Sequence, residues 1–143
     1  MNGTLANVLI VDDTPMNIEI LLEMLKDDFD LSFATSGPQA LDLLTKGLVP
    51  DLILLDIMMP EMDGYQVCEV LKGNPATRDI PVIFITAKGD LDSETRALAV
   101  GGVDFIHKPV NKALALARIT RHLELECKKR SPSASGHPGT CSA

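Results

Sequence analysis

The 143-residue sequence predicts an α/β fold: a doubly wound parallel sheet of five strands with helices on both faces. Three observations predict it. Five short apolar runs recur along the chain, each about strand length and rich in Val, Ile, Leu or Phe. They are apolar at successive positions, as strands buried on both faces are. Segments with helical spacing separate them, and such alternation implies a parallel sheet covered by helices.

The elements follow in order. The first run is Val8–Val11, and Ile18, Leu21, Leu22 and Leu25 then fall at i, i+3, i+4 and i+7, one helix stripe. Thr14-Pro15 before them fits an N-cap followed by a first-turn proline. The second run is Leu31–Ala34, followed by a helix with Ala40, Leu43 and Leu44 on one side and Ser36 as its candidate cap. The third is Leu52–Leu55, and its helix carries Val67, Val70 and Leu71 and stops at Gly73-Asn74-Pro75. The fourth is Val82–Ile85, with a helix over Leu91–Val100 capped by Asp90 or Asp92 and stopped by Gly101-Gly102. The fifth is Val103–Ile106, and a last helix runs from Asn111 to about Lys129 with Leu116, Ile119 and Leu123 on one side.

Composition narrows the function. Thirteen basic residues against 20 acidic ones give a formal net charge of -7. Such a surface repels phosphate backbones, and 3% aromatic residues with no Trp offer no base-stacking platform. Direct nucleic-acid binding is not expected. Charges or breakers interrupt every apolar run, and no basic stretch precedes Val8, so neither a membrane span nor a signal peptide is expected. Cys68, Cys127 and Cys141 are scattered and form no CxxC, so a reducing, cytoplasmic setting is expected and Cys68 fits a small core residue.

In doubly wound folds the ligand sits beyond the carboxyl ends of the strands. The residues there are Asp12-Asp13 after the first run, Asp56 after the third, Thr86-Ala87 after the fourth and Lys108-Pro109 after the fifth. Three neighbouring carboxylates repel one another, so they take up protons or bind a cation. Oxygen-only ligands favour a hard ion, Mg²⁺ above all where several waters share the shell. Beside such an ion a carboxylate can attack a phosphoryl group. Asp56, alone at the end of the central strand, is the expected nucleophile, and Thr86 and Lys108 supply donors and positive charge to the phosphoryl oxygens.

Each residue also has a plainer role. Asp12-Asp13 could cap the first helix, and Asp56 and Asp51 could be exposed charges at the two ends of the third strand. Thr86 could be a β-branched strand end and Lys108 a solvated loop residue. Singly each is plausible; all four at one sheet edge is a far less ordinary coincidence. Asp27-Asp28, Glu124 and Glu126 fit solvated faces, and His107, His122 and His137 lack metal-ligand spacing and are read as structural or exposed.

VLIVDDTPMN, DLILLDIMMPEMDG, VIFITA and DFIHKPV resemble, collinearly from about Leu5 to Leu123, the receiver domain of two-component response regulators, the CheY-like family. The resemblance implies the flavodoxin-like strand order 2-1-3-4-5 and a signalling protein, not an enzyme with a separate substrate. It implies Asp56 as phosphoacceptor, Asp13 as a direct Mg²⁺ ligand, Asp12 as a ligand mostly through water, and the Met58 main-chain carbonyl as a further ligand. Thr86, the Ala87 backbone N–H and Lys108 would hold the phosphoryl group, and Lys108-Pro109 would be cis. Gly64 would serve a tight bend into the third helix. Thr86 and Phe105 would form the switch, Phe105 lacking the hydroxyl a Tyr would bring. Met58 and Lys88 would border the phosphoryl site and tune its lifetime, and Gly101-Gly102 stands where Gly-Ala is frequent, a small change.

The implied partners are a sensor histidine kinase or phosphotransfer protein and an output domain or partner protein. A homodimer through the fourth helix, fifth strand and fifth helix is also implied. Residues 1–4 are expected to be a tail, 5–130 the receiver with an extended last helix, and 131–143, rich in Ser, Pro and Gly, a flexible tail. LELECKKR resembles the start of a linker helix, with no effector domain expected inside these residues. Three rival classes fit less well, one being a binding module with a dead switch, against which all the phosphorylation residues are present. An aspartyl-nucleophile phosphatase of the haloacid-dehalogenase type would carry Asp where Met58 stands, and a dinucleotide-binding unit would carry G-x-G-x-x-G where DDTPMN stands.

Overall fold

A computed structural model describes residues 5–87 and 91–130, with side chains through Leu125 except that of Ala87. Ten elements alternate: β1 (Asn7–Val11), α1 (Pro15–Leu25), β2 (Asp30–Ala34), α2 (Gly37–Thr45), β3 (Leu52–Asp56), α3 (Gly64–Lys72), β4 (Val82–Ala87), α4 (Leu91–Ala99), β5 (Asp104–Lys108) and α5 (Lys112–Arg130). All strand pairs are parallel, in the order β2-β1-β3-β4-β5. This is the doubly wound, flavodoxin-like arrangement that the alternation and the resemblance predict. Among the described residues no helix is long and apolar enough to cross a membrane.

Successive strand residues point to opposite faces, which explains the continuous apolar runs. Leu9, Val11, Ile53, Leu55, Val82 and Phe84 face one way and pack with Ala40 of α2, Val67, Cys68 and Leu71 of α3 and Ala97 of α4. Val8, Ile10, Leu52, Leu54, Ile83 and Ile85 face the other way and meet Ile18, Leu21 and Leu25 of α1 and Ala115, Ile119 and Leu123 of α5. A fully buried Leu or Ile is worth about 1.5–3 kcal/mol over an exposed one, so these two layers hold the sheet rigid.

Several expectations need correction. β2 lies at the sheet edge, so it is not buried on both faces: Asp30 and Phe33 are exposed. β5 runs to Lys108 rather than Ile106, because His107 and Lys108 continue the ladder opposite Thr86 and Ala87. Val70 is exposed; the buried face of α3 is Tyr65, Val67, Cys68 and Leu71. Thr14 holds the extended N-cap conformation of α1 but its side chain caps nothing. Asp92 lies inside α4 and is not its cap, while Asp90 and Lys88 lie outside the described residues. Ser36 does cap α2, accepting from the Gln39 N–H at 3.2 Å. The change at Gly102 is not small: a Cβ there would sit 2.6 Å from the Phe84 ring. Residues 131–143 lie outside the described residues.

Candidate functional site

The strand order places the ends of β1, β3, β4 and β5 side by side, at the point where β2 and β3 leave β1 in opposite directions. Asp56 closes β3 and is 3% exposed. Asp12 follows β1 at 1% exposed, and Asp13 beside it is half-buried. Carboxylate oxygens of Asp12, Asp13 and Asp56 all lie within 4.8 Å of one another. The Lys108 Nζ donates to Asp56 Oδ1 at 3.1 Å from the end of β5. Thr86 is buried at the end of β4, one residue past the Ile85 that faces Asp56 across the ladder. The Lys108-Pro109 peptide is cis.

The local sequence makes this geometry. Thr14 N–H donates to Asp12 Oδ1 at 2.9 Å and the Asn17 amide to Oδ2 at 3.3 Å, so both Asp12 oxygens are held. The β3–α3 loop turns sharply at Glu61 (φ 70), where Met62 N–H reaches the Pro60 carbonyl at 2.7 Å. It then returns so closely that a Cβ on Gly64 would lie 2.5 Å from the Asp56 carbonyl oxygen. Gly64 is therefore required by close approach, not by a left-handed backbone. Asp63 caps α3 in a reciprocal box with Gln66, both bonds at 2.9 Å. That box fixes the helix on which Gly64 rides.

Electrostatics at Asp56 are unfavourable to charge. Burial first, then the Asp12 carboxylate, pushes the Asp56 carboxyl above its ordinary range; the Lys108 hydrogen bond opposes this and Asp13 adds a smaller push. A buried all-oxygen cluster with one ammonium beside it suits a hard cation that would relieve the repulsion.

A family model described as the response regulator receiver domain matches residues 8–120. The chain belongs to that family. Over 117 residues this receiver is 43% identical to a Vibrio cholerae protein named "Probable cyclic di-GMP phosphodiesterase", and over 135 residues 39% identical to the response regulator PleD of Caulobacter vibrioides. The matches cover 82% and 92% of the chain but only 26% and 30% of those proteins, so it spans less than a third of either. Among solved structures, a signal receiver domain of a histidine kinase from Syntrophus aciditrophicus matches with TM-score 0.76 and 38% identity, over 82% of this chain and 89% of that one. NtrX from Brucella abortus matches with TM-score 0.83 and 26% identity, over 92% and 29%.

The receiver's remaining residues divide into those near the site and those beyond it. Met58, two residues past Asp56 in the chain, is 77% exposed. Phe105 is half-buried, packs beside the Phe84 layer and stacks on His107 at 5.5 Å. His107 contacts Glu94 on α4, and His122 and Arg118 both hold Asp104, at 3.0 and 2.6 Å. Both histidines thus have carboxylate partners and tie helices to β5. Asp51 accepts the Asn7 N–H at 2.8 Å at the opposite sheet edge, away from the site. Asn17, Tyr65 and the Asp63 box have no role predicted from the sequence. Only the box had a signal, the D-x-x-Q spacing before an apolar helix face.

Proposed function

We propose that this receiver accepts a phosphoryl group on Asp56 from a phosphohistidine of a sensor histidine kinase or phosphotransfer protein. The observation that carries the reading is the buried Asp56, with two further carboxylates within 4.8 Å and the Lys108 ammonium at 3.1 Å. The all-oxygen donor set fits Mg²⁺, held by Asp12, Asp13, Asp56 and the Met58 main-chain carbonyl. Bound there, Mg²⁺ supplies the positive charge that lets three carboxylates and a phosphoryl group share one pocket.

The chain's own groups do the rest. An Asp56 oxygen attacks phosphorus; a P–O bond forms, the P–N bond to the donor imidazole breaks, and the imidazole keeps the electron pair. Lys108 releases Asp56 and donates to a phosphoryl oxygen, joined by the Thr86 hydroxyl and the Ala87 backbone N–H. Thr86 and Phe105 then shift together and alter the α4-β5-α5 surface, which serves an output domain, a partner protein or a second copy. The receiver turns over no substrate other than its own aspartyl phosphate. We place it in the cytoplasm, with residues 5–130 as the receiver of a signalling protein.

The test is intact-mass measurement after incubation with acetyl phosphate and Mg²⁺. A gain of one phosphoryl group, absent in Asp56→Asn, supports the proposal. No gain with acetyl phosphate, or with a phosphorylated histidine phosphotransfer domain, overturns it.

A further inference from the structure

We propose that Asn17 is a positioning residue for the cation site, acting through Asp12. The inference rests on the Mg²⁺ reading above and adds a residue to it. Asp12 is 1% exposed, and a carboxylate so buried needs donors on its oxygens or it becomes costly to keep ionised. Thr14 N–H serves Oδ1 at 2.9 Å, and among the described residues the Asn17 amide is the side chain that serves Oδ2, at 3.3 Å. The two donors approach from consecutive parts of one segment, the loop after β1 and the first turn of α1. Together they fix the rotation of the carboxylate and leave its remaining lone pairs for a cation.

The identity of the side chain matters. An amide is neutral, so it satisfies a buried oxygen without the positive charge that Lys or Arg would set against an incoming cation. Asn17 is half-buried and lines, with Asp12, Lys108 and Pro109, a cavity of about 400 Å³ beside the cluster. It therefore reaches Asp12 from the cavity side, and Asp13 and Asp56 do not line that cavity. Partners that orient metal-ligating groups typically contribute about 10–100-fold to affinity.

The test is calorimetric titration of MgCl₂ into the metal-free full chain at a temperature where every variant is folded. Wild type, Asn17→Ala, the near-isosteric Asn17→Leu and Asp13→Asn are compared, with metal-free melting recorded for each. The expected result is a Mg²⁺ dissociation constant raised about tenfold or more in both Asn17 variants. An unmoved constant in Asn17→Ala and Asn17→Leu overturns the proposal, including the case where both merely melt at lower temperature. Absence of Mg²⁺ binding by wild type overturns the cation reading itself, and the proposal with it.

Discussion

Replacing Asp56 by Asn should stabilise the metal-free protein at neutral pH, although it removes the carboxylate partner of Lys108. The Asp12 carboxylate lies within 4.8 Å of that of Asp56 and repels it by about 3.5 kcal/mol at an effective dielectric of about 20, while half-buried Asp13 adds less. Lys108 at 3.1 Å returns about 5 kcal/mol at that dielectric, but its side chain is 38% exposed and solvent screening takes the attraction toward about 1 kcal/mol. Burial adds a further penalty on the charge. The balance opposes ionisation, so the neutral, equally sized amide should gain about 1–3 kcal/mol after relaxation, or about 3–10 °C in melting temperature.

The pH dependence carries the sign. A carboxyl raised in the folded state binds its proton more tightly there, so its favourable contribution is full below the unfolded value of about 3.9 and is lost as pH rises through the raised value. Wild type should therefore weaken relative to Asp56→Asn as pH rises from 4, and the gap should reach a plateau once Asp56 is ionised. Thermal melting in EDTA between pH 4 and 8 measures it. A variant less stable than wild type at pH 7.5, or a gap that narrows as pH rises, would mean that charge on Asp56 is not destabilising.

Three further outcomes are expected. Mg²⁺ at 100 times its dissociation constant should stabilise wild type by about 2.7 kcal/mol, and Asp13→Asn should lose most of that shift in the same melting assay. Gly64→Ala should cost about 1–3 kcal/mol in urea unfolding, because its methyl would meet the Asp56 carbonyl at 2.5 Å and the β3–α3 loop must move. Asp63→Ala should cost about 1 kcal/mol by removing the capping box of α3, with Asp63→Asn retaining much of it.

The sheet was legible because its strands are buried on both faces, which leaves uninterrupted apolar runs such as LILLD. Its limits show where that rule fails. Phe33 is apolar yet 50% exposed, because β2 has a neighbour on one side only. His107 and Lys108 are polar, yet they extend β5, because the ladder opposite Thr86 and Ala87 outweighs their strand propensity. Val70 matches the α3 stripe by spacing but falls just outside the face that Cys68 occupies.

At the site, Asp12, Asp13, Asp56, Thr86 and Lys108 could be picked out because each lies within two residues of the end of an apolar run. Partners chosen by tertiary approach could not. Asn17 reaches Asp12 from the next helix, and Glu94 meets His107 only because α4 lies against β5. Tyr65 is similar: its hydroxyl donates to the Ser93 carbonyl at 3.1 Å and Arg96 lies 4.2 Å over its ring. With Ala97 the only buried residue of α4, such polar contacts hold much of that helix in place, and no spacing rule announces them.

In the reaction we propose, Asp56, and neither of its acidic neighbours, carries the phosphoryl group. Acetyl phosphate and Mg²⁺ followed by borohydride reduction converts an aspartyl phosphate to homoserine, which peptide mass mapping can locate. Conversion at residue 56, with Asp12 and Asp13 unchanged, is the predicted result. Conversion at Asp12 or Asp13, or at no aspartate in a sample whose intact mass shows phosphorylation, would contradict it.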